Sequence, residues 1–330
     1  MKSPRLIKYA FPIVITIVFI IFLTKTIDVR ESLEHFTGIH ILPLIAAFFL
    51  YIIQYFFLAL RWRLLTHETI GVLPFIYVTA IHTMTNNLMP MRTGEVMYPL
   101  LLKRYFNIGF GDSTATLIYA RIFDILAMGI FVLVALVFGW DRLHISFEGL
   151  GGEPFRFLMY VFLLLLIIVI LYSVFSRLTR EEKKAGEGSL LGMLKSGLDS
   201  LGRGMKRVEI FKVSLELMLL SLAVFWARYA FFMYALMVFG ISVTFLEAVL
   251  MASLPIVAAV IPAQGIGGYG TIETGWVLGF LLVGLSKEMA LMAGFGIHTM
   301  YLIFSVILGG ISFPLLEMVK KRREERESAK

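Results

Sequence analysis

An all-α polytopic membrane protein is the fold class this sequence predicts, and three observations carry that reading. Of its 330 residues, 59% are hydrophobic and only 16% are charged, against roughly 25% charged in a soluble domain. Apolar windows approaching the about 20 residues that cross a bilayer recur along the whole chain. The Lys and Arg residues gather in short segments between those windows. The net charge of +7 therefore reads as a topology signal, not a nucleic-acid surface, and no nucleic-acid partner is expected. The chain has no cysteine, which excludes disulfides, thiol chemistry and Cys-ligated metals.

Taken in order, the apolar segments are Tyr9–Leu23, Ile41–Leu60, Val72–Met89, Val96–Leu102, Thr114–Trp140, Phe157–Phe175, Val213–Phe239, Phe245–Ile261, Val277–Leu285 and Met289–Leu316. Lys2, Arg5 and Lys8 precede the first in the manner of a signal peptide. No small-residue cleavage site follows, so it reads as a retained first span. Basic residues mark the N-terminus, the Arg61-Trp62-Arg63 end of the second span, Lys103-Arg104, Arg177–Lys212 and the Lys320–Arg323 tail. Asp28–Glu34 and Asp141–Glu153 are richer in acid. By the positive-inside rule both termini lie in the cytoplasm, which places the protein as a multi-pass component of the cell membrane.

This orientation puts Arg63 and Lys103-Arg104 on one side with apolar sequence between them. A re-entrant hairpin resolves the conflict, broken at Met89 through Gly94, where proline removes a donor and glycine loosens the backbone. The same grammar returns later. Pro90 opens Pro-Met-Arg-Thr-Gly-Glu, and Pro262 opens Pro-Ala-Gln-Gly-Ile-Gly-Gly-Tyr-Gly with Glu273 beyond it. The prolines lie 172 residues apart, and Gly109 and Gly284 lie 175 apart. Each half then holds an odd number of full crossings, so the second copy is upside down. That is the inverted-repeat plan of secondary transporters, with broken helices meeting near the midplane.

The predicted architecture is a single transmembrane domain over residues 1–330, with six full spans and two re-entrant broken-helix hairpins. Residues 1–140 form the first half, 155–175 and 211–318 the second, and 176–210 a cytoplasmic basic linker. The competing plan is eight spans plus one hairpin, in which Phe245–Ile261 and Thr271–Leu285 each cross fully. Within the linker Leu190, Leu194, Leu198, Leu201, Met205 and Val208 recur at helical spacing among Lys195, Arg203, Lys206 and Arg207. Either a helix lying on anionic lipid or a flexible basic tether fits that pattern.

Ionisable residues inside spans are costly and mark function by default. Arg121 and Asp124 are three apart on one helix face, where they can pair. Arg228 lies mid-span, with Asp124 or Glu247 as its expected partner. Arg92 and Glu95 flank the first break, and Glu273 follows the second. Each glutamate stands just inside a new helix, where the dipole also favours a negative charge. The run Gly265, Ile266, Gly267, Gly268, Tyr269, Gly270 has no preceding strand, which argues against a dinucleotide loop. Its backbone N–H groups instead suit phosphate at a helix start. With Asn87, Pro90, Gly94, Pro262 and Gln264 beside the breaks, these residues form the candidate binding site for a phosphate-bearing headgroup.

Three ordered motifs carry a family resemblance over nearly the whole chain. Asn87 through Glu95 (Asn-Leu-Met-Pro-Met-Arg-Thr-Gly-Glu), Arg121-Ile-Phe-Asp124, and Pro262 through Glu273 resemble the flippase-like membrane region of lysylphosphatidylglycerol synthases. They are similar also to the stand-alone, synthase-free proteins of that superfamily. The family often has an arginine three residues after the first glutamate, where this chain has Tyr98. The resemblance implies movement of a polar lipid between leaflets, either an aminoacylated phospholipid or a lipid-linked sugar. No transferase-sized segment follows Leu316, so transport without aminoacylation is the expectation.

Two other classes compete. Gly109-Phe110-Gly111-Asp112 matches the GxGD string of intramembrane aspartyl proteases, which need a second aspartate close by. Asp124 is on the same predicted helix, about 18 Å away at 1.5 Å per residue, so no dyad forms. The six histidines are scattered and no His-Glu-x-x-His occurs, so neither enzyme activity, metal nor cofactor is expected. His82 and His298 lie within apolar segments as helix-packing residues or proton relays. An accessory protein that recruits a lipid- or glycan-modifying enzyme through its basic segments is the remaining alternative. Membrane lipids are the expected partners.

Overall fold

The computed structural model describes residues 40–66, 71–89, 94–139, 210–259 and 266–328. The expectations for Tyr9–Leu23, for Phe157–Phe175 and for the linker ahead of Ile210 lie outside the described residues. The described elements are α1 (Ile41–Thr66), α2 (Val72–Leu88), α3 (Met97–Phe106), α4 (Phe110–Gly139), α5 (Ile210–Val238), α6 (Phe245–Ala258), α7 (Thr271–Leu282) and α8 (Lys287–Ser328). Tight turns lie at 94–96 and Ile266–Gly268. Among the described residues there is no strand. The protein is an all-helical, polytopic membrane protein, and α1, α4, α5 and α8 are each long and apolar enough to cross a bilayer.

Local chemistry explains the ends. Met89 turns extended (φ −81°, ψ 133°) and closes α2 on the carbonyl of Thr85, as expected of a residue followed by proline. Asn107 ends α3 in the left-handed region at φ 58°, a conformation asparagine tolerates. At the start of α6 the Thr244 hydroxyl accepts from the Glu247 N–H while the Glu247 carboxylate accepts from the Thr244 N–H. This reciprocal cap satisfies two orphan donors. Gly270 leads into α7 at φ 91°, open only to a residue without Cβ.

The order long, short, short, long occurs twice, as α1–α4 and as α5–α8. The two leading helices pack along each other and run antiparallel. The His40 N–H donates to the Val238 carbonyl at 3.3 Å, while Arg61, near the other end of α1, reaches Ser221 in the first half of α5 at 3.2 Å. The short helices cross over. α2 packs on α8 of the other half and α6 on α4, the latter through Phe131 and Phe245 at 6.2 Å. Within the second half α6 and α7 form a tight hairpin. A Cβ on Gly275 would come within 2.5 Å of Pro255 Cα, and one on Gly279 would strike the Met251 carbonyl. Small residues let membrane helices approach this closely.

The interior is aromatic. Tyr51 meets Tyr301 edge-on at 5.0 Å and Phe231 at 5.5 Å, and its hydroxyl bonds that of Tyr55 at 2.7 Å. The opposite faces expose Leu42, Phe49, Val137, Phe138, Leu215 and Ile311, an outer surface suited to lipid rather than water. One expectation is corrected here. The second apolar segment does not end at Leu60; α1 runs on to Thr66, so Arg61 is not a flanking topology signal. It is 1% exposed and belongs to the core.

Candidate functional site: two polar clusters at the helix breaks

The first cluster joins three helices. Arg61 of α1 donates through Nη1 to Asp124 Oδ1 on α4, and the same nitrogen lies 3.2 Å from the Ser221 hydroxyl on α5. Arg121, one turn before Asp124, approaches its other oxygen at 3.6 Å and donates to Glu95 at 2.8 Å. The Arg61 side chain is 2% exposed and Arg121 43%. Arg61 is therefore a sealed charge, while Arg121 keeps an accessible face. The i,i+3 contact of Arg121 and Asp124 expected from spacing is present, but Arg61 makes the closer bond.

Arg228 does not take Asp124 or Glu247 as a hydrogen-bond partner. The Gln54 amide lies 3.1 and 3.2 Å from its Nη2 and Nε and accepts from both once its oxygen is turned toward them, and the guanidinium lies 4.9 Å over the Phe225 ring. Gln54 is 1% exposed and stands on the buried face of α1 with Tyr51, Leu58 and Arg61. Glu247 is committed to the Thr244 cap, which is a structural use of its charge.

The second cluster follows the second break. Glu273, in the first turn of α7, is fully buried. One oxygen accepts from the Gly270 N–H at 2.7 Å and the other meets His298 Nδ1 of α8 at 2.6 Å. Tyr269 packs on that imidazole in a tilted contact at 4.6 Å, and its hydroxyl bonds Thr299 at 2.9 Å. Gly267 and Gly268 take φ of 68° and 81°. The expected glycine run thus works by turning the chain sharply back into α7.

The breaks are neighbours, because the Ile266–Gly268 turn packs against α2. At the end of α2, Asn86 Oδ1 and Asn87 Nδ2 are buried without a hydrogen-bond partner among the described residues. Gly94 is buried so tightly that a Cβ there would collide with the backbone of Thr85 and Asn86. Pro90, Arg92, Pro262, Gln264 and Gly265 lie outside the described residues. Tyr98, standing where the family often has an arginine, is buried against Trp62 at 4.4 Å and His82 at 5.6 Å. An aromatic contact fills that position. Among the described residues no group of three or more His, Asp or Glu is placed to hold a metal.

Against this geometry, the family described as the lysylphosphatidylglycerol synthase TM region matches residues 9–309. The chain belongs to that family. The match runs through both halves and both polar clusters. No curated protein and no solved structure matches the chain significantly. Sequence reasoning missed the core place of Arg61, the part of Gln54 and Ser221, and the pairing of His298 with Glu273. A signal existed for two of them, since Gln54 and Arg61 fall seven residues apart on the face of α1 that carries Tyr51 and Leu58.

Proposed function

We propose that this member of the lysylphosphatidylglycerol synthase TM family is a lipid transporter that moves a phosphate-bearing lipid between leaflets without covalent chemistry. The observation that carries the reading is the charge balance of the first cluster. Among the described residues, Arg61 and Arg121 pair with two carboxylates, Asp124 and Glu95, while Arg228 bonds the neutral Gln54 amide. Each arginine inside a span is retained at a cost of roughly 2.5–3.5 kcal/mol on insertion scales. Those residues carry one cation in excess, and the accessible face of Arg121 offers a passing phosphate the fork geometry it accepts.

The architecture supports the same reading. Antiparallel leading helices and crossed-over short helices are what an inverted repeat produces. With 14 and 12 residues, α6 and α7 measure about 21 and 18 Å, short of a hydrocarbon core of about 30 Å. They form a re-entrant hairpin, α2 and α3 form its counterpart, and six full spans complete the plan. Both termini are cytoplasmic. Asp112 and Asp124 share α4, which keeps them too far apart for an aspartyl dyad.

Reconstitution in vesicles with a reporter phospholipid tests the proposal. Arg121→Gln keeps hydrogen bonding and deletes the charge, and should lower translocation at least tenfold while the protein still inserts. Arg92→Gln, Glu95→Gln and Glu273→Gln should also reduce it, and Lys320→Gln on the exposed tail should be silent. Wild-type rates in every cluster variant would overturn transport at this site. An accessory role for a lipid-modifying enzyme would then stand in its place.

A further inference from the structure

Each break is followed by a glutamate, and each glutamate pairs with a base on the next long helix. Glu95 bonds Arg121, 26 residues on, and Glu273 bonds His298, 25 residues on. The two pairs occupy corresponding places in the halves and differ in two respects. The first base is an arginine, always protonated, in a pair whose side chains are 43% and 36% exposed. The second is a histidine, which can give up its proton, in a pair whose side chains are 4% and 0% exposed. One half holds a permanent charge at an accessible position; the other holds a titratable pair in a dry one.

We propose that Glu273 and His298 form a proton-binding site that couples lipid movement to a proton gradient. The coupling rests on the transport reading above; the proton site itself does not. With one proton between them the pair is neutral, as imidazolium and carboxylate or as imidazole and carboxylic acid. Losing that proton strands a negative charge, and gaining a second strands a positive one. Either state is costly where neither group touches water. The sealed pair therefore holds one proton and exchanges it only in a conformation that admits water, where the proton passes from the pair to a water molecule on that side. Binding and release are thereby tied to the conformational cycle.

The surrounding groups leave this logic intact. Tyr269 covers the imidazole with its ring and commits its hydroxyl to Thr299. On α6, packed against α7, the charged side chain is Glu247, held at the helix start by Thr244. On α8, Tyr301 packs on Tyr51 and Phe231, Glu317 is bonded to Arg104 and Tyr105, and Lys287 and Glu288 stand about 15 Å back along the helix axis from His298. On α2, against which the Ile266–Gly268 turn packs, the titratable groups are Tyr77 and His82, the latter in ring contact with Tyr98. His298 is thus the pair's own switchable partner.

The test reads the final lipid distribution in vesicles with the membrane potential clamped to zero, since a slowed carrier still reaches the same end point. One proton per lipid predicts an accumulation ratio that changes about tenfold per unit of imposed pH gradient. His298→Gln should abolish that accumulation. His298→Arg, which copies the fixed charge of the first half, should abolish it too, with retained size-exclusion behaviour as the check on folding. Lipid movement indifferent to the gradient would overturn the proton coupling and leave transport standing. Should no lipid move at all, nitrogen-15 histidine NMR in vesicles decides the site alone. The His298 resonances, assigned by their loss in His298→Gln, must show the shared proton exchanging with water. A proton that never exchanges with solvent would make the pair structural and end the proposal.

Discussion

Replacing Asp124 by asparagine gives the sharpest test of how the polar core is balanced. Asparagine preserves the shape and one acceptor, so the change removes charge and little else. Arg61 is then a guanidinium at 1% exposure whose remaining described contacts are the Ser221 hydroxyl and the Trp62 ring. Breaking one side of a buried ion pair costs about 3–5 kcal/mol, whereas exchanging both partners for apolar residues is often neutral. The Asp124 side chain is 13% exposed and Arg121 retains Glu95, so the low end applies. About 3 kcal/mol is roughly a hundredfold shift in the folding equilibrium. Reversible unfolding in mixed micelles measures it. Asp124→Asn should lose about 3 kcal/mol, and the double variant Arg61→Met/Asp124→Leu should recover most of the loss. A cost under about 1 kcal/mol for the single variant, or a double variant no better than the single, would refute the claim that the two charges compensate one another.

Two further outcomes follow from the helix arrangement. With no native cysteine, Gly71→Cys and Lys103→Cys should label with a polar reagent from one side of the membrane, and Ser242→Cys and Ser286→Cys from the other; all four positions are exposed, and labelling from a single side would sink the inverted repeat. Gly279→Ala drives a methyl into the Met251 carbonyl and should cost about 1–3 kcal/mol in a thermal or micellar unfolding assay. Gly310→Ala meets open space and should be neutral or stabilising by up to about 1 kcal/mol. Equal behaviour of the two would mean that α6 and α7 are not in the contact described.

Much of the architecture was readable because bilayer solvation acts on composition. A chain with few charges and repeated apolar windows has nowhere to fold but lipid, and the breaks announce themselves through Pro90 and the glycine run. The errors arose where a charge had two uses. Arg61 sits beside Arg63 at the end of an apolar window, which is what a topology signal looks like; only the continuation of α1 to Thr66 turns it inward. Glu247 was read as an intramembrane charge although Thr244 stands three residues before it, the spacing of a capping box, so that signal was on the page. The partnerships of Arg61 with Asp124 and of Glu273 with His298 were not readable. They join different helices, and side-chain periodicity carries no information about which helices become neighbours.

The glycine contacts also bear on mechanics. Helices that slide past one another need side chains long enough to change rotamer and keep contact. Where Gly275 and Gly279 lie against the backbone of α6, and Gly94 against that of α2, no such cushion exists, and a small displacement replaces attraction with collision. Each break is therefore welded to its own helix. Any movement that opens the polar clusters falls to surfaces with deformable side chains, such as the aromatic seam where Tyr51 and Phe48 of α1 meet Tyr301 and Phe304 of α8. Each hairpin is then stiff within itself, and the tyrosine–phenylalanine seam is where the packing can yield.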